Sequence, residues 1–270
     1  MTGVAATLAA ARAEGRSALI GYLPVGFPDV ETSIAAMVAI VEAGVDVVEV
    51  GVPYSDPLMD GPVIQAAVDA ALRGGARTTD AIAAAGAVAR SGAPALVMTY
   101  WNIVERYGVD AFAADLAAAG GAGLITPDLI PDEAGEWLAA SDAHGLDRVF
   151  LVAPSSTQAR LQATTAACRG FVYAASTMGV TGVRASVGDA AAVLVARTRE
   201  VTDLPVCVGL GVSNGAQAAE VARYADGVIV GSALVRALAE AASPAEGVAA
   251  VARLAAEFSD GVRSGRRQPV

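Results

Sequence analysis

The chain has 270 residues, 54% of them hydrophobic and 17% charged, with a net charge of −10. This is ample material for a core and excludes a disordered chain, and the acidic balance argues against a nucleic-acid binder, although backbone amides could still hold one phosphorylated metabolite. All eighteen basic residues are arginine; without a lysine amine the chain can form no Schiff base, anchor no pyridoxal phosphate and build no Walker A loop.

The first stretch, MTGVAATLAAARAEGR, lacks a basic leader region, and Arg12 and Glu14 break its apolar run. It is expected to be an Ala-rich helix over about residues 1–15, packed on the domain, and not a signal peptide. No apolar run reaches the roughly 18 residues of a membrane span, so a soluble, cytoplasmic protein is expected. Eight short runs rich in β-formers follow: ALIGYL (18–23), VDVVEV (45–50), ALVMTY (95–100), GLIT (123–126), RVFLVA (148–153), GFVYAA (170–175), LPVCVGL (204–210) and DGVIVG (226–231). Between them lie segments with apolar residues at helical spacing, among them VETSIAAMVAIVEAG, TTDAIAAAGAVARSG, VDAFAADLAAAGG, DEAGEWLAASDAHG and NGAQAAEVARYA. Several end in glycine, as helix C-termini do. Strict alternation of strand and helix implies a parallel sheet, and strands apolar on both faces imply one covered on both sides. Eight such units predict a (β/α)8 TIM barrel with an additional N-terminal helix. No linker or composition shift divides it, so one domain over 1–270 is expected, with a basic tail from about 262.

In such a barrel the chemistry sits at the C-terminal ends of the strands, which directs attention to EVGVPYSDPLMDGP at 49–62. Glu49 lies within the second strand. Inside the barrel mouth it would be desolvated and useful as an acid or base; paired with an arginine or turned outward it would be structural. Taken singly, Asp56 and Asp60 are ordinary turn formers beside Pro and Gly. A loop this stiff, following a carboxylate in a strand, would also hold a second carboxylate across the mouth. Further on, GVTG (179–182), GLGVSNG (209–215) and VGSAL (230–234) follow strands six, seven and eight. Together they match the place where barrels of this kind bind phosphate. Cys168 and Cys207 form no CxxC pair and read as buried structural thiols. His144, the one histidine, reads as a surface or capping residue and makes no metal site alone.

GYLPVGFP (21–28), VEVGVPYSDPLMDGPVIQ (48–65), TYWNIVERYG (99–108), LITPDLIPDEA (124–134), FVYAASTMGVTG (171–182), GLGVS (209–213) and GSAL (231–234) occur in that order. Through them the chain resembles the tryptophan synthase alpha subunit family over nearly its whole length. The second motif is long and specific; the shorter ones carry weight only in sequence. The resemblance implies retro-aldol cleavage of indole-3-glycerol phosphate to indole and glyceraldehyde 3-phosphate, with no metal and no cofactor in this chain. It implies Glu49 as general acid/base, Asp60 as the group on the indole N–H, and Tyr173 beside the catalytic carboxylate. Gly182, Gly211, Gly231 and Ser232 correspond to the phosphate site, and Thr181 to a loop that closes over substrate. Tyr22, Ile64, Met98, Ile125, Leu151 and Leu210 correspond to the indole pocket, although each is equally a plausible core residue. Pro53, Asp56, Pro57 and Asn102 correspond to the interface with a beta subunit that carries pyridoxal phosphate in an α2β2 heterotetramer. Three departures stand out: Met59 where a small residue is common, Tyr54 where Phe is common, and Ser-Thr-Met at 176–178 where arginine is frequent. Three other readings compete: a phosphosugar isomerase, a stand-alone lyase, and a non-catalytic activator of a beta subunit. GYLPVG offers no catalytic Cys or Asp to an isomerase, and the presence of both Glu49 and Asp60 speaks against the activator.

Overall fold

Strand β1 (Ala18–Pro24) pairs in parallel with β2 (Val47–Gly51) on one side and with β9 (Gly227–Val230) on the other. The computed structural model describes residues 3–175, 189–209 and 211–265. From β2 the sheet runs through β3 (Ala95–Met98) and β4 (Gly123–Ile125) to β5 (Asp147–Val149). From β9 it runs the other way through β8 (Val206–Gly209) and β7 (Val172–Ala175) to β6 (Leu151–Val152). The two ends of this order, β5 and β6, are successive pieces of one strand, interrupted only at Phe150. The nine strands therefore fill eight positions of a closed parallel ring. Each of the eight predicted runs forms the expected strand.

Period-two alternation divides the core. In β2, Val47 points into the ring with Ile20, Leu96, Ile125, Val149, Phe171, Cys207 and Ile229. Val48 and Val50 point outward, into a mantle shared with the helices. Both faces of the strand are buried, which is why the sequence reads as an almost unbroken apolar run. The first helix, α1 (Val4–Ala13), turns Val4, Leu8 and Ala11 onto the interior cluster and closes the N-terminal end of the ring. It is the expected N-terminal helix.

Five helices whose spacing is legible in the sequence form with small changes at their ends. Gly120 and Gly145 both take left-handed φ at helix C-termini, where a side chain would be strained. The segment beginning at Asp132 is not one helix: Pro131–Glu133 makes a 3₁₀ turn, and the α-helix begins at Gly135. The last helix spans Pro244–Ser264, is capped by Ser243 Oγ, and buries Val251, Ala255, Phe258 and Val262 along one face. The apolar stripe thus carries the helix beyond residue 262, and residues 266–270 lie outside the described part. Among the described residues no helix is long and apolar enough to cross a membrane. Cys168 and Cys207 are buried, as expected, and burial pushes the Cys168 thiol up to about 11. His144 ends its helix with Nε2 3.1 Å from Asp110.

At the N-terminal end of the ring the principal electrostatic contact is Arg16 with Asp46. The guanidinium donates to both carboxylate oxygens at 2.7 and 2.8 Å, and Asp46 also accepts from the Leu19 N–H at 2.8 Å. Both side chains are largely withdrawn from solvent. Asp46→Ala removes the two-oxygen acceptor of Arg16 and the acceptor of the Leu19 N–H while Glu14 still pairs with Arg16 Nε, so it should destabilise the fold by about 2 kcal/mol. Urea unfolding should show this as a lower midpoint with an unchanged slope.

Candidate active site

The C-terminal end of the ring opens into a cleft of about 730 Å³, counting its mouth to solvent. Its walls are the uppermost inward residues of the strands and the loops that follow them. Glu49 is in register with Tyr22 on β1, so the two side chains enter the ring side by side. Tyr173 enters from β7, paired with Leu151 on β6 and Cys207 on β8. Space for the two phenols comes from glycine: a Cβ on Gly51 would collide with the Tyr22 hydroxyl, and one on Gly209 with the Tyr173 hydroxyl. Ile229, from the apolar layer below, forms part of the floor.

Glu49 is 1% exposed, and its Oε1 has no hydrogen-bond partner among the described residues. Neither structural alternative for this residue holds: it does not face outward, and it belongs to no ion pair among the described residues. Burial pushes its carboxyl up to about 8. Ordinary carboxylates ionise near 4, so at neutral pH this group retains its proton. Asp60 reaches the same cleft from the segment between β2 and the helix Pro62–Arg73, and burial raises its carboxyl to about 6. Asp60 is therefore mostly ionised at neutral pH and Glu49 mostly protonated. Two carboxyls in one cleft, one ready to give a proton and one carrying charge, are the arrangement that acid/base chemistry requires. Tyr22 and Tyr173 are both held above the usual phenol range, first by burial and then by the nearby carboxyls, and stay neutral.

The cleft gathers most of the residues singled out from the sequence. Ile64, Met98 and Leu151 line it beside Tyr22, and Gly211, Gly231 and Ser232 line the far wall. Gly211 has φ +67 in the turn after β8. Gly231 occupies the cap position of the helix Ser232–Ala239 without a side-chain cap, which leaves that helix's first N–H groups available to an anion. Ile125 does not line the cleft. It is fully buried in the apolar layer beneath, with Ile20, Val47 and Leu96. Leu210, Thr181, Gly182 and the 176–178 departure lie outside the described residues. On the rim, Asp56 and Asn102 are exposed, Pro57 is half-buried and Pro53 is buried within the chain. Two groups are not evident from the sequence as parts of the site. The Tyr100 hydroxyl accepts from the N–H groups of Leu58 and Met59, and Gln65 Nε2 donates to the Asp60 carbonyl. Both fall within the long motifs, which marks their place but not their partners.

The sequence model described as "Tryptophan synthase alpha chain" matches residues 8–263. The tryptophan synthase alpha chain of Mycobacterium ulcerans is 65% identical over 258 residues, covering 96% of this chain and 93% of that one. That of Salinispora arenicola is 65% identical over 254 residues, covering 94% and 95%. A structure of Mycobacterium tuberculosis tryptophan synthase superposes with a TM-score of 0.91 at 62% identity, covering 96% of this chain and 98% of that chain. The alpha subunit from Legionella pneumophila gives 0.86 at 30% identity, covering 97% and 98%. The chain belongs to the tryptophan synthase alpha chain family.

Proposed function

We propose that the chain is one barrel domain that cleaves indole-3-glycerol phosphate by a retro-aldol step in which Glu49 moves the proton and Asp60 faces the ring nitrogen. The observation that carries this reading is the pair of carboxyls facing one cleft, buried Glu49 and half-buried Asp60, raised to different degrees, about 8 and about 6. Protonated Glu49 gives its proton to the ring carbon that bears the glycerol chain. The ring becomes a cationic indolenine, and the charge that develops at its N–H is met by ionised Asp60. Glu49, now a carboxylate, takes the proton of the adjacent hydroxyl. The carbon–carbon bond breaks, its electrons return to the ring, and the aldehyde leaves as glyceraldehyde 3-phosphate with indole beside it. Glu49 ends protonated, so one group serves as acid and then as base and no cofactor enters the balance. Tyr173, beside Glu49 at the top of the ring, excludes water from the proton path. Gly211, Gly231 and Ser232, with Gly182, take the phosphate through backbone N–H groups and a hydroxyl. Thr181 belongs to the segment that closes over the substrate. Tyr22, Ile64, Met98 and Leu151, with Leu210, contact the indole ring.

Handing indole to a beta subunit that carries pyridoxal phosphate, in an α2β2 assembly, completes this reading. It is supported by the rim. Asp56 and Asn102 are exposed there, and Leu58 presents an apolar side chain that is 73% accessible. Pro53, being buried, shapes the loop and does not itself form contact surface.

Glu49→Gln keeps the shape of the side chain and removes its proton traffic. Indole release should fall by about 10²–10⁴ while binding of a non-cleavable substrate analogue persists; normal turnover would sink the assignment. The pH dependence follows with its sign. Activity needs Asp60 ionised, so kcat/KM should rise as pH climbs through about 6. It also needs Glu49 protonated in the free enzyme, so kcat/KM should fall as pH climbs through about 8. A bell with these limbs is expected, and Asp60→Asn should flatten the acid limb of whatever activity remains. For the partner, Asp56→Ala should lower the ratio of activity with added beta subunit to activity without it. An unchanged ratio would remove Asp56 from the coupling between the two subunits.

A further inference from the structure

Asp60 stands in a segment that belongs to neither strand nor helix, between Gly51 and Pro62, so no regular ladder of hydrogen bonds fixes its carboxylate. The backbone is instead gripped on both sides of it. On one side, Tyr100 Oη accepts from Leu58 N–H at 2.9 Å and from Met59 N–H at 3.2 Å. On the other, Gln65 Nε2 donates to the carbonyl of Asp60 itself at 2.8 Å. Tyr100 is well placed to act as an anchor. It is buried, and its ring centroid lies 4.8 Å from that of Tyr54. Tyr54 Oη in turn accepts from Asn102 Nδ2 at 3.2 Å. The next residue along the chain is also tied down: Trp101 N–H donates to both oxygens of Asp128, at 3.0 and 3.1 Å. The loops after β2 and β3 thus meet at this phenol, and the loop after β4 holds the residue that follows it.

We propose that Tyr100 and Gln65 are positioning residues of the reaction, a two-sided brace that holds residues 58–60 so that the Asp60 carboxylate stands at the ring N–H. The inference rests on the reading of Asp60 given above. Neither side chain needs to touch the substrate; each acts through the backbone that carries the carboxylate. The separation matters because a displacement near 1 Å at a group facing developing charge lowers rates by up to about a hundredfold. Tyr100→Phe retains the ring against Tyr54 and removes the hydroxyl that accepts from Leu58 and Met59. Gln65→Met retains the bulk and removes the amide that donates to the Asp60 carbonyl.

The experiment is a double-mutant cycle on indole release, supported by thermal melting to establish folding. Tyr100→Phe and Gln65→Met should each lower kcat/KM about 10- to 100-fold in the wild-type background. In the Asp60→Asn background the same changes should alter the residual rate by no more than about twofold, since the group they position is already gone. A second readout is the binding ratio of indole-3-propanol phosphate to its benzothiophene counterpart, which lacks the N–H. The wild type should prefer the indole, and both brace variants should lose most of that preference. Full activity and an intact ratio in both brace variants would overturn the brace while leaving Asp60 in place. Equal fractional losses in the two backgrounds would overturn the route through Asp60. Wild-type activity and preference in Asp60→Asn alone would overturn the underlying reading of Asp60, and the brace with it. If one brace variant does not fold, the other decides, because each cuts a different tether.

Discussion

Inside a closed ring of parallel strands only alternate side chains enter, and a carboxyl among them is costly to ionise because little water can reach it. Glu49 is that carboxyl: it is 1% exposed, and its Oε1 has no hydrogen-bond partner among the described residues. The neighbours are selected by the same constraint. Tyr22 and Tyr173 fill the space at its level with large rings whose hydroxyls remain protonated, and Gly51 and Gly209 give way so that the rings fit. A basic residue at that level would pair with Glu49 and bring its carboxyl back to the usual range, abolishing the proton it holds at neutral pH.

The two ends of the barrel divide stability from chemistry. At the N-terminal end the polar contacts are paired and short: Arg16 with Asp46, and the Ser17 hydroxyl with the carbonyls of Ala222 and Ala225. They join β1 to β2 on one side and to the approach to β9 on the other. At the C-terminal end Glu49 Oε1 has no partner among the described residues, and order is supplied from behind, through backbone contacts such as those of Tyr100 and Gln65. Desolvated carboxyls thus stand at one end of the barrel and paired polar contacts at the other.

The sequence was most legible where the pattern is local. Alternation and turn residues located all eight strand positions, while the choice between an inward and an outward Glu49 was left to the structure, which buries it at 1% exposure. Parity does not give depth, however. Ile125 points into the ring as its spacing requires, yet it lies in the layer below the cleft because β4 ends there. The brace on Asp60 was not legible for another reason. Tyr100 lies 42 residues from Leu58, and its acceptor role exists only once β2 and β3 are side by side. The stiffness of PLMDGP had suggested that its own prolines and glycine hold the carboxylate. They limit how the loop bends, but its position comes from a phenol and an amide outside it. The last helix runs into the basic tail, where Val262 continues a stripe set by Val251, Ala255 and Phe258.

The seal made by α1 has a consequence for traffic. With Val4, Leu8 and Ala11 seated on the apolar interior, the ring is a cul-de-sac, and matter enters and leaves by the same door. An apolar fragment released at the bottom of such a pocket cannot drain away through the far end of the barrel. It must pass back along the walls that received it, past whatever phosphate-bearing fragment still occupies the threshold. The order in which two products depart is then a matter of geometry as much as of affinity. Whatever sits against the doorway governs the fate of the deeper fragment: open water lets it escape, and a docked neighbour with its own opening in line receives it.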